Sequence, residues 1–125
     1  MILCDSNIII KLMRGDLKIK QTLAQIQSEN IALSIITHAE IYFGTKKDDI
    51  PSIRKLLEKF QTCHIDKATS KIFNGLILNY SATHHIKIPD ALIAASAVAL
   101  NYELYTTNKK DFDFIPEIRF YRPKK

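Results

Sequence analysis

Residues 1–12 read Met-Ile-Leu-Cys-Asp-Ser-Asn-Ile-Ile-Ile-Lys-Leu, and their order decides how the rest of the chain is read. Met1 to Cys4 is a short apolar run suited to a buried strand. Asp5, Ser6 and Asn7 are residue types that favour helix N-caps, and Ile8, Ile9, Ile10 and Leu12 follow as an apolar helix that Gly15 stops. A strand, a turn bearing an acid and a helix make the half-unit from which parallel sheets are assembled.

The same alternation continues to the end of the chain. Leu17 to Ser28 places Leu23, Ala24 and Ile26 at helical spacing, and Ile31 to Ile35 is a β-branched run. Thr37 to Phe43 reads as a short helix closed by Gly44. Pro51 suits the first turn of a helix that continues through Ile53, Leu56, Leu57 and Phe60. Cys63 to Ile65 reads as a minimal strand, and Lys67 to Thr83 as a long helix. Pro89 and Asp90 open a helix whose body, Ala91 to Leu100, is small or apolar on nearly every face, as in a helix buried against a sheet. Leu104 to Thr106 is a strand, Asn108 to Phe114 an irregular turn, and Arg119 to Tyr121 an edge strand. The expectation is one α/β domain over residues 1–125, with a mainly parallel sheet flanked by helices on both faces.

Composition agrees. A chain of 125 residues with 46% apolar and 25% charged side chains is long enough for a real core without disulfides or a structural metal, and is neither disordered nor fibrous. The net charge is +5, and residues 107–125 carry six basic against three acidic side chains, so a polyanion is the natural partner. Cys4 and Cys63 have no CxxC spacing, which fits a reducing cytoplasm. Ala91 to Leu100 is too short to span a bilayer, and Asp5 stands where a signal peptide would carry positive charge, so a soluble cytoplasmic protein is expected. Three glycines form neither GxGxxG nor a P-loop. What remains is chemistry done with carboxylates.

Four acids fall where a strand ends or a helix begins: Asp5, Glu40, Asp90 and Asp111. Beyond the C-terminal strand ends of an open parallel sheet lies the crevice where ligands bind, and Asp5 and Asp111 both follow strands. Glu40 and Asp90 are expected in first helical turns facing the same crevice. Each acid has a plainer reading, as an N-cap, a dipole-favoured first-turn acid, a surface charge or a turn former. Their joint placement points instead to a site. Clustered carboxylates repel one another, and Mg²⁺ or Mn²⁺ removes that repulsion with oxygen ligands. Such an ion can activate water and orient a phosphodiester, the chemistry of metal-dependent nucleases. Ser6, Thr106 and Asn108 are candidate hydrogen-bonding supports, and Lys109 and Lys110 candidate phosphate contacts.

The stretches Met1-Ile-Leu-Cys-Asp-Ser-Asn-Ile-Ile-Ile, Leu33-Ser-Ile-Ile-Thr-His-Ala-Glu-Ile-Tyr-Phe-Gly, Ile88-Pro-Asp-Ala-Leu-Ile-Ala-Ala-Ser-Ala and Leu104-Tyr-Thr-Thr-Asn-Lys-Lys-Asp-Phe resemble, in order, the motifs of PIN-domain ribonucleases of the VapC toxin type. Spacings of 35, 50 and 21 residues between the acids make the ordered set specific. The resemblance implies a Mg²⁺- or Mn²⁺-dependent endoribonuclease of a type II toxin–antitoxin system, with metal-binding carboxylates at Asp5, Glu40, Asp90 and Asp111. It also implies a cognate antitoxin whose tail occupies the active-site groove, an RNA substrate, and a homodimer. Two positions depart from the pattern: Ser6 stands where Thr is more frequent, and Asn108 where an acid is often found.

A catalytically silent binding module with the same fold is the alternative function, and metal titration separates the two. A phospho-accepting receiver domain fits poorly, because only Asp5 follows the first strand where an acidic pair is expected. His38, His84 and His85 lack zinc-ligand spacing and read as structural or surface residues. Tyr42, Phe43, Phe60 and Phe73 read as packing or dimer contacts rather than base-stacking platforms.

Overall fold

A computed structural model describes residues 1–124. The first half holds β1 (Ile2–Cys4), α1 (Ser6–Met13), α2 (Leu17–Ile26), β2 (Ile31–Ser34), α3 (Ile35–Phe43) and α4 (Ile50–Leu57). The second holds β3 (Gln61–Cys63), α5 (Lys67–His84), α6 (Ile88–Leu100) and β4 (Glu103–Tyr105), then a 3-10 turn at Lys109–Asp111. The strands form one sheet in the order β3-β2-β1-β4, and every pairing is parallel. With β1 central, all the strands' C-terminal ends share one edge.

Both faces are covered because strand side chains alternate. Leu3, Ala32 and Leu104 join α5 and α6 in one core, whereas Cys4, Ile31, Leu33 and Tyr105 join α1, α2 and α4 in the other. Burial pushes both thiols up, Cys63 to about 11, so neither cysteine is a ready metal ligand or nucleophile. Helix α6 is buried from Ala91 to Ala97, and its small residues share one core with Leu3, Ala32 and Leu104 of the sheet and Leu76 of α5. Ala94→Leu inserts three carbons into that core and is expected to cost about 1–3 kcal/mol in urea unfolding.

Three local expectations shift. The strand expected over Cys63 to Ile65 is β3 at Gln61–Cys63, because its partner β2 turns into α3 after Ser34, the residue opposite Cys63. The helix expected from Thr37 starts at Ile35, where Ser34 Oγ accepts from the Ile36 N–H at 3.2 Å. The edge strand expected at Arg119 to Tyr121 contracts to a single parallel bridge between Leu104 and Phe120. Gly15 takes the positive φ of 84° that reverses the chain between α1 and α2.

Candidate active site

The site is built where β1 and β4 end. Their register pairs Cys4 with Tyr105, so Asp5 and Thr106 emerge side by side. The Asp5 N–H donates to the Tyr105 carbonyl at 2.9 Å, and Thr106 Oγ1 donates to Asp5 Oδ2 at 2.8 Å. Thr106 Oγ1 in turn accepts from the Asn108 N–H at 3.0 Å, which folds the following loop over the strand end. Asp5 occupies the N-cap position of α1, yet its side chain makes no capping bond. That frees its carboxylate for the crevice. At 5% exposure, burial raises its pKa, against the pull of the Thr106 hydroxyl and the Ser6 backbone, and the charges of Glu40 and Asp111 push the same way as burial.

Ser6 opens α1 and reaches across to α3. Its Oγ donates to Glu40 Oε1 at 2.8 Å and lies 2.9 Å from Thr37 Oγ1. A hydroxyl has one proton, so with Ser6 donating to Glu40, Thr37 donates to Ser6. The buried Thr37 thus orients Glu40 through Ser6. Thr37 stands three residues before Glu40 on the same helical face, a spacing that could have singled it out. Because α3 starts at Ile35, Glu40 lies in its second turn rather than its first, and is exposed. Ser6→Ala removes the donor holding Glu40 and the acceptor of the buried Thr37 hydroxyl, so nuclease rates are expected to fall roughly 10- to 100-fold and urea-unfolding stability by about 1–3 kcal/mol.

Asp90 lies in the first turn of α6 and is half-buried. Its carboxyl is pushed up to about 6, first by burial and then by the charges of Asp5 and Asp111, with a smaller push from Glu40. Lys87, the residue before α6, opposes that shift. Asp111 ends the 3-10 turn after β4 and is exposed.

Asp5, Glu40, Asp90 and Asp111 line one pocket of about 210 Å³, together with Ser6, Asn7, Lys87 and Asn108. Thr106 reaches it through Asp5. The two lysines singled out from the sequence both border a concavity with Asn108 and Asp111; Lys110 also lines a recess with Asp90, and Lys109 Nζ lies 5.7 Å from the centre of the Phe120 ring. Lys87 and Asn7 are pocket residues that sequence reasoning passed over, because neither belongs to an acidic or hydroxyl pattern. A roomier concavity between α2 and α4, bounded by Leu23, Leu56 and Phe60, includes none of these acids.

An all-oxygen donor set in which burial and then neighbouring charges raise the pKa of two carboxyls suits a hard divalent cation. Among the described residues no three acidic, His or Cys side chains close on a single point. Zinc finds no such support: His38 is held by Thr62, its Nε2 lying 3.1 Å from the Thr62 hydroxyl.

A sequence profile of the PIN domain matches residues 2–117. The chain belongs to the PIN-domain family. Ribonuclease VapC19 of Mycobacterium tuberculosis is 25% identical to this PIN domain over 120 residues, covering 94% of this chain and 96% of that protein. Among solved structures, a toxin–antitoxin complex from Klebsiella pneumoniae contains a chain 32% identical, with a TM-score of 0.82 and coverage of 100% and 99%. VapBC-1 from nontypeable Haemophilus influenzae is 29% identical, with a TM-score of 0.79 and 97% coverage of each chain. The fold expectation is borne out, since the central parallel sheet and its flanking helices superpose on the matched chains of these complexes over nearly their whole length.

Proposed function

We propose that this PIN domain, taken as one unit over residues 1–125, is the toxin of a type II toxin–antitoxin pair and an endoribonuclease dependent on Mg²⁺ or Mn²⁺. The observation that carries the reading is the convergence of Asp5, Glu40, Asp90 and Asp111, from the β1–α1 junction, α3, α6 and the turn after β4, onto one pocket. Its likeness to a ribonuclease and to chains of toxin–antitoxin complexes supports it. Asp5 and Asp90 would hold the cation, and Glu40 and Asp111 would complete the site or orient the attacking water. A divalent cation there supplies charge compensation for the phosphodiester and a lowered pKa for water. Thr106 keeps the Asp5 carboxylate directed into the crevice, and Ser6 does the same for Glu40. Asn108 borders the pocket at its loop side, and Lys87 and Lys110 offer charge to substrate phosphates.

The cognate antitoxin would close the site by laying its tail across the acidic pocket, for which a basic side chain is the fitting complement. The cytoplasm is the proposed place of action, consistent with two free cysteines. Among the described residues no helix is long and apolar enough to cross a membrane. A homodimer has a suitable face on α3, where Ile35, Ala39 and Phe43 are exposed at four-residue intervals. Phe43 is 95% exposed, so it packs nothing within its own chain, unlike Tyr42, Phe60 and Phe73. Phe43→Asp should give a monomer in sedimentation; an unchanged dimer places the interface elsewhere.

The test is cleavage of a panel of structured RNAs by the purified protein in EDTA, Mg²⁺ or Mn²⁺. Cutting only with a divalent ion is expected. No cutting, together with no metal effect on thermal stability, would overturn the reading in favour of a silent binding module.

A further inference from the structure

Next to the carboxylate pocket, and sharing Lys87, Asp90 and Asp111 with it as a common wall, lies a second recess bounded by His84, Lys110 and Phe114. His84 is the last residue of α5, and His85 leaves the helix at a positive φ of 52°, turning the chain towards Lys87 and α6. An exposed side chain at a helix end is ordinarily free to sample rotamers. His84 is held instead: its ring stacks on Phe114 with centroids 4.4 Å apart and planes at 21°, and Tyr80 meets its edge at 5.4 Å. The Thr83 hydroxyl lies 2.8 Å from its Nδ1. A fixed aromatic stack flanked by two lysines and adjoining a carboxylate pocket combines the two features that bind single-stranded nucleic acid, a π-surface for a base and cations for its phosphate.

We propose that this recess is a nucleotide subsite, in which the unpaired base beside the scissile phosphate rests on the His84–Phe114 stack while Lys87 and Lys110 receive the adjoining phosphate. The proposal rests on the ribonuclease reading and adds to it a requirement for an unpaired nucleotide, since a base inside an A-form duplex presents no free face. A phosphopeptide would also satisfy two lysines and an aromatic ring, but the wall shared with the proposed phosphodiester-cutting centre favours nucleic acid.

The test measures binding of a fluorescein-labelled single-stranded RNA and of the matching duplex in EDTA, alongside Mg²⁺-dependent cleavage, for the full chain and two variants. His84→Ala should weaken single-strand binding at least about fivefold, as expected for one stacked base, and leave duplex binding unchanged. His84→Tyr, which keeps a stacking ring, should return single-strand binding to within about twofold of wild type. Thermal midpoints confirm that each variant folds. Single-strand binding by His84→Ala equal to wild type, failure of the Tyr variant to restore it, or an equal loss on duplex would overturn the subsite. If the wild type still cuts RNA in that case, the ribonuclease reading stands alone. A wild type that neither binds nor cuts RNA overturns both.

Discussion

Asp5→Asn is expected to lower RNA cleavage by at least about a thousandfold, roughly 4 kcal/mol in activation free energy, without unfolding the protein. The substitution preserves shape, and the amide oxygen can still accept from the Thr106 hydroxyl that now holds Oδ2. The amide NH₂ then faces the pocket, where a hard cation needs an oxygen ligand and finds a donor. Burial and two neighbouring carboxylates make the ionised form of Asp5 the costly one, so its neutral isostere should fold at least as stably in EDTA. Initial rates, read beside melting curves in EDTA and Mg²⁺, separate loss of chemistry from loss of fold. Wild-type rates with an unchanged metal response would remove Asp5 from the site.

Asp90 carries the second large effect, visible as pH dependence. An unfolded Asp ionises near its ordinary value of 3.8, whereas burial and the charges of Asp5 and Asp111 push this carboxyl to about 6 in the folded chain. Below 3.8 it is protonated in both states and contributes no difference. Between that value and about 6 the unfolded state loses its proton first, so metal-free stability falls as pH rises, and above 6 the penalty is complete. Asp90→Asn lacks this penalty. Its thermal midpoint in EDTA should match wild type near pH 3.5 and exceed it increasingly up to about pH 6, then by a constant margin. In Mg²⁺ most of that margin should disappear. A cation at a hundred times its dissociation constant stabilises the wild type by about 2.7 kcal/mol, close to 10 °C for a chain of this length, and the variant should lose most of that gain. A variant whose midpoint tracks wild type at every pH, with the same Mg²⁺ response, would show that Asp90 feels neither its neighbours nor a cation.

That Asp5 and Asp90 stand at junctions facing a common crevice was legible in the chain, since short apolar runs alternate with amphipathic or wholly apolar segments and an acid stands at each turn. Such signals are local: strand alternation, an N-cap triplet and a buried alanine-rich helix are set by residues within one or two turns of one another. The first turn of α6 and the junction after β1 appear where they were expected for that reason.

Partnerships are another matter. Asp5 meets Thr106 across 101 residues and Ser6 meets Thr37 across 31, and both meetings are decided by strand register and helix placement. Glu40 was expected one turn too early because the sequence does not show that β2 passes into α3 without a loop. Lys109 and Lys110 are neighbours of one type, yet one lies over Phe120 and the other borders Asp90. Lys87 and His84 carry no motif and take their meaning from the pockets they line. Local sequence therefore determined the order of elements, the parallel sheet and the four acids at its edge, because propensity and hydrophobic period act over a few residues. Tertiary structure alone decided which hydroxyl holds which carboxylate and which lysine reaches Asp90, because those contacts depend on the packing of segments far apart in the chain.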